Sequence, residues 1–286
     1  MSRGRRKILK ASAFLRAALV CCGALGASAC GPAQVQDEAG YDEMVFADDD
    51  AVEAAVTRPP ARPVRRASAP RPLAAPAVLP PARCDNARDA TSRSYGAVTS
   101  GGLEQGCRIA AQGPGYLATH KTAAYGTDET VAVLQWAAAA VAQQFPGSPP
   151  VVIGALSADG GGVLRPHRSH QSGRDVDIGY FYADRGARRF EVADASNLDA
   201  ERTWALLEAL IYTGDVAFVF VDYNLQALLY ETLVDAGWSE AALATLLQYP
   251  AGPGVARGLL RHAAGHADHF HIRFRCAARD KPECVD

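Results

Sequence analysis

Residues 269–275 read His269-Phe270-His271-Ile272-Arg273-Phe274-Arg275. Polar and apolar side chains alternate without a break, which is the pattern of a strand with one buried face. Successive side chains on a strand point to opposite faces, so His269 and His271 share one face and Phe270, Ile272 and Phe274 the other. A shorter stretch, Asp175-Val176-Asp177-Ile178-Gly179-Tyr180, alternates in the same way. There Asp175 and Asp177 share a face, while Val176 and Ile178 take the opposite one. Two such strands would turn imidazoles and carboxylates toward one point and share an apolar core behind it.

The surrounding chain supplies that core. Residues 130–145 carry apolar side chains at helical spacing and stop at Pro146. Residues 199–212 and 225–236 read as two more helices, the second closed by Gly237. Residues 150–154 and 216–221 are short apolar runs typical of buried strands. Helices and strands alternate without regular βαβ units, so the class expected is α+β.

The chain has 286 residues, a formal net charge of −2 and 49% hydrophobic content. This balance excludes the strongly basic class of nucleic-acid-binding proteins, and no nucleic-acid partner is expected. No apolar run reaches the roughly 18 residues of a membrane-spanning helix. Residues 1–29 read as an export signal: a basic stretch with Arg3, Arg5, Arg6, Lys7, Lys10 and Arg16, an apolar run, and Ala27-Ser28-Ala29 before Cys30. Two forms fit, a plain signal cut after Ala29 and a lipoprotein signal with Cys30 as the lipid-bearing first residue. The second is the expectation, although Ala27 stands where such signals prefer Leu. A lipid on Cys30 would be the only membrane contact, and the location expected is the periplasm, on the outer membrane.

Residues 30–83 read as a tether. Eight acids and no base fall in 37–53, and then Arg58, Arg62, Arg65, Arg66 and Arg71 follow among prolines. No period of 2 or 3.6 survives there, so there is little to bury. One domain is expected over 84–286. Its cysteines, Cys84, Cys107, Cys276 and Cys284, suggest two disulfides in an oxidising compartment, with three pairings open.

Six of the seven histidines fall in two windows: His167 and His170, then His262, His266, His269 and His271. His120 stands apart. Neutral imidazole nitrogen together with carboxylate oxygen is a zinc-type donor set, and three protein ligands with an open position suit a hydrolytic ion. The six are expected to gather around one metal.

Ser169-His170-Gln171-Ser172-Gly173-Arg174-Asp175-Val176-Asp177-Ile178 and His266-Ala267-Asp268-His269-Phe270-His271-Ile272-Arg273 closely resemble the two signature segments of the penicillin-insensitive murein endopeptidase family. That family belongs to the lysostaphin, D-Ala-D-Ala peptidase and hedgehog-like metallopeptidases. Ser94-Tyr95-Gly96, Gly113-Pro114-Gly115-Tyr116 and Tyr125-Gly126-Thr127 are also similar, so the resemblance spans roughly residues 90–276. It implies a small antiparallel sheet bearing the zinc site, flanked by helices. It implies one zinc per chain, held by His170, Asp177 and His271, with His167 a further ligand or a partner of the ligands. His269 and His266 are implied as the catalytic histidines, with Asp175 a partner of the ligands or structural. The implied substrate is the stem peptide of peptidoglycan, cut at the cross-link between D-Ala and meso-diaminopimelate or between two diaminopimelates. Two alternatives stay open: a D-Ala-D-Ala carboxypeptidase of the same zinc group, and an inactive peptidoglycan-binding module.

Overall fold

The computed structural model describes residues 76–184 and 190–286. The chain divides into two units, Met1–Arg62 and Pro63–Asp286. The first lies wholly outside the described residues, as do the expected export signal, Cys30 and most of the tether. Leu79 and Ala82 already pack against the core.

The strands are β1 (Arg93–Ala97), β2 (Ser100–Glu104), β3 (Cys107–Arg108), β4 (Gln112–Gly113), β5 (Tyr116–Ala118), β6 (Tyr125–Gly126), β7 (Val151–Ile153), β8 (Asp175–Gly179), β9 (Val216–Phe220), β10 (Leu260–Arg261) and β11 (His269–Phe274). The helices are α1 (Asp128–Gln144), α2 (Ala200–Ile211), α3 (Tyr223–Asp235) and α4 (Glu240–Leu246). None is long and apolar enough to cross a membrane.

Local chemistry sets the helix ends. Thr127 Oγ1 accepts the Thr130 N–H at 3.1 Å, capping α1, and Asp128 and Glu129 sit favourably at its positive end. Asp199 caps α2 by accepting the Arg202 N–H at 2.9 Å, and Asp222 caps α3 by accepting the Asn224 N–H at 2.8 Å. Gly237, with φ +88, lets the chain leave α3 in the left-handed conformation.

The α+β class holds, but the sheet is neither small nor purely antiparallel. Seven strands run in the order β10-β9-β11-β8-β7-β5-β4. Antiparallel pairing joins β9, β11, β8 and β7, while β5 with β7 and β10 with β9 are parallel. The added strands β4, β5 and β10 have two or three residues each, too few to show a period.

β11 and β8 are neighbours in the register the alternation requires. His271 lies opposite Asp177, and Phe270 opposite Ile178. Phe270, Ile272, Val176 and Ile178 join one core with Val131, Leu134 and Ala138 of α1 and Leu206, Leu207 and Leu210 of α2. Each fully buried apolar side chain there contributes roughly 1.5–3 kcal/mol. The opposite face of the same two strands carries the histidines and aspartates.

Two disulfides close the ends of the domain, Cys84–Cys107 and Cys276–Cys284. The second holds the C-terminal segment behind the first signature. There buried Arg174 donates to Ser94 Oγ at 3.1 Å and to the carbonyls of Phe274 at 3.2 Å and Val285 at 2.8 Å.

Candidate metal centre

Asp177 is the hub. It lies in β8 between Ala155 and Gly154: its N–H donates to the Ala155 carbonyl at 3.0 Å, and its carbonyl accepts the Gly154 N–H at 2.8 Å. Its Oδ1 stands 3.2 Å from His170 Nε2 and 3.1 Å from His271 Nδ1. Its Oδ2 stands 3.7 Å from His167 Nδ1. One donor atom from each of His167, His170 and Asp177 lies within 4.8 Å of the others, a set able to hold a metal ion.

His170 is held at both ends. Its backbone is left-handed, with φ +66, a conformation costly for a residue with a Cβ. Its N–H donates to Asp175 Oδ2 at 3.2 Å, and its Nδ1–H donates to the Leu156 carbonyl at 2.7 Å. A carbonyl can only accept, so Nδ1 carries a proton, and in the neutral ring Nε2 is left with a bare lone pair. That Nε2 is buried, faces the Asp177 carboxylate and has no hydrogen-bond partner. In that form two acceptors face each other inside a protein, an arrangement that a proton or a metal ion between them would relieve.

His271 completes the cluster from β11. Its Nδ1 meets Asp177, and its Nε2 lies 3.3 Å from Asp175 Oδ1 without hydrogen-bond geometry. Burial alone would depress its pKa, but Asp175 and then Asp177 outweigh burial and push it up to about 9. Asp175 is fully buried; Arg273 donates to it from Nε at 2.9 Å. Burial would raise its pKa, yet His271 and Arg273 hold the carboxyl well below the carboxylate range. Asp177 is held low in the same way, by His170 and His271 against burial.

The other expected residues divide. His269 is in the cluster, its Nε2 3.8 Å from Asp177 Oδ1. His266 is beside it, with ring centroids 5.0 Å from His269 and 6.0 Å from His271. Carbonyls of Ala263 and Ala264 accept its Nδ1–H at 3.2 and 3.1 Å. Burial lowers the His266 pKa, and His269 and His271 lower it further. His262 does not join: its Nδ1 accepts the Tyr223 N–H at 3.0 Å, at the start of α3. The expectation that six histidines surround one point is corrected there, because residues 262 and 269 are separated by a turn that the strand period does not span. His120, set apart in the sequence, instead lines the cleft that contains Asp177 and His167.

Two partners of His269 were not read from the sequence. Asp268 Oδ1 accepts its Nδ1–H at 2.6 Å, which leaves Nε2 as the free acceptor. Alternation would place adjacent residues on opposite faces, but β11 starts at His269, so Asp268 precedes the pleat. Phe190 stacks on the His269 ring, centroids 4.9 Å apart and planes 10° from parallel. No period or motif marks Phe190. Two glycines make room for it: a Cβ on Gly154 would come 2.6 Å from its ring, and one on Gly179 3.3 Å.

The similar residues upstream support the site without lining it. Ser94 Oγ donates to the Ser172 carbonyl at 2.9 Å, and the Thr127 N–H to the Gly173 carbonyl at 3.0 Å. At Gly115, with φ +80, a Cβ would come 2.1 Å from the Ala138 carbonyl oxygen of α1.

No curated protein matches the chain. Residues 94–212 match the model of the family described as penicillin-insensitive murein endopeptidase. That stretch contains the first signature segment and its supports. The second segment lies beyond it and reaches the site through the pairing of β11 with β8. Over residues 94–212, then, the chain is similar to the penicillin-insensitive murein endopeptidase family.

Proposed function

We propose that the chain is a zinc-dependent endopeptidase that hydrolyses peptide cross-links of peptidoglycan. The observation that carries this reading is the bare, buried Nε2 of His170 facing the Asp177 carboxylate, with His271 Nδ1 against the same oxygen. Nitrogen and carboxylate donors without thiolate suit zinc. His170, Asp177 and His271 would hold the ion, with His167 flanking Asp177 from the more exposed side. Bound there, zinc would supply Lewis-acid polarisation of the scissile carbonyl and a water acidic enough to attack near neutral pH.

The remaining chemistry belongs to the side chains. His269 Nε2 takes the proton of the attacking water, and Asp268 stabilises the resulting imidazolium through Nδ1–H. Phe190 keeps that ring in plane. His266, tied back through Nδ1–H, leaves Nε2 to hold substrate. Asp175 and Arg273 fix the orientation of His271. The bond cut is the one between D-Ala and meso-diaminopimelate, or its diaminopimelate–diaminopimelate counterpart, by the resemblance of both signature segments. Residues 1–30 support export to the periplasm, with Cys30 carrying a lipid.

Digestion of purified sacculi followed by muropeptide separation tests the reading. Loss of cross-linked dimers is expected. Intact dimers with trimmed terminal D-Ala would establish the carboxypeptidase instead, and an unchanged profile would establish the inactive binding module.

A further inference from the structure

His120 is an exposed residue in the loop after β5, and it shares a cleft of about 310 Å³ with Asp177, His167, Phe190, Val152 and Gly154. Its Nδ1 accepts the Ala123 N–H at 3.1 Å. An imidazole nitrogen that accepts carries no proton, so the neutral ring bears its hydrogen on Nε2. His120 therefore presents one donor, fixed in place by backbone.

That donor is registered to the metal centre through a short relay. Ala123 is fully buried, and its carbonyl accepts the Leu156 N–H at 2.8 Å. The Leu156 carbonyl in turn accepts the His170 Nδ1–H at 2.7 Å. Before His120, the Thr119 N–H donates to the Ile153 carbonyl at 2.9 Å. The loop carrying His120 and the segment cradling His170 thus share the same backbone bonds.

Thr119 also lines the cleft, but its hydroxyl is turned to the Ile153 carbonyl at 3.3 Å, and the remaining lining beside His167 and Asp177 is apolar or without a side chain. Phe190 forms a wall and Val152 another part of the lining. Gly154 keeps the space open, since a Cβ there would collide with Phe190. A lining with few polar groups, one of them a fixed donor, orients a ligand that is rich in acceptors and small in side chain. The D-Ala part of a stem peptide, with a carbonyl and a methyl side chain at each residue, has that chemistry.

We propose that this cleft is where the stem peptide docks, and that His120 Nε2–H donates to a substrate oxygen next to the scissile bond. The inference rests on the function proposed above. Its test is binding of a purified cross-linked muropeptide dimer to zinc-loaded His269→Ala protein, alone and combined with His120→Ala or His120→Gln. Initial rates with the same two His120 substitutions on the native background accompany it. Losing one neutral hydrogen bond should weaken binding roughly fivefold to tenfold in His120→Ala. His120→Gln, whose amide is also a donor, should restore most of it, with kcat in both within about twofold. Equal binding in all three proteins would overturn the inference. So would a loss confined to kcat, or a glutamine no better than alanine. If the native chain cleaves nothing while binding still depends on His120, the catalytic reading falls and the docking cleft stands.

Discussion

The two faces of β8 and β11 are built from the same eleven residues, five in β8 and six in β11, and obey opposite rules. On one face Val176, Ile178, Phe270 and Ile272 are buried among many apolar neighbours, so they are held by close packing and by no single partner. On the other, Asp175, Asp177 and His271 are almost as buried, yet each depends on one or two specific partners. Two imidazole nitrogens there have no hydrogen-bond partner. The apolar face explains why the chain folds, and the polar face gathers side chains suited to holding a metal ion. A polar face left partly unsatisfied inside a packed domain is a cost that a bound cation removes.

Substitutions can break this contrast in either direction. Asp177→Asn removes the hub of the polar face. Cleavage should fall by more than the roughly 10–100-fold that losing a ligand's partner costs, with zinc content near zero by elemental analysis. Asp175→Asn, which leaves the donor atoms in place, should stay within that 10–100-fold range and retain measurable zinc. Phe270→Ala attacks the other face and should cost about 3–5 kcal/mol of unfolding free energy, read by denaturant titration, with zinc still bound by the folded fraction. Phe190→Ala should have the smallest effect, roughly tenfold in kcat, about 1.4 kcal/mol, with zinc content unchanged. If Phe190→Ala emptied the site of metal, the aromatic ring would belong to ligand support and not to His269.

The sequence made the two faces legible because strand alternation is local. His269, Phe270, His271 and Ile272 announce their sides within four residues, and Asp175 to Ile178 do the same. The meeting of the two strands is a pairing across 94 residues, and the resemblance to known signature segments implied it where spacing alone did not. What stayed illegible was whatever lacked a period. Strands of two or three residues extended the sheet at both sides, and the Cys84–Cys107 pairing was one of three equal options. His120 looked isolated because its link to the site runs through the backbone of Ala123 and Leu156, which no side-chain pattern reports. His262 looked like a member because it is close in sequence, yet it serves the start of α3.

Zinc binding to the metal-free chain is the most direct test of the central claim. Without metal, Asp175 and Asp177 raise the His271 pKa to about 9, so its proton is present at pH 8. A ligand nitrogen must give up its proton to bind metal, so binding at pH 8 should release close to one proton and should strengthen as pH rises toward 9. Calorimetry in buffers of different ionisation enthalpy should show one zinc per chain, this proton release, and loss of binding in Asp177→Asn. Binding that releases no proton and survives Asp177→Asn would contradict the account, because the ion would then lie somewhere other than between His170, Asp177 and His271.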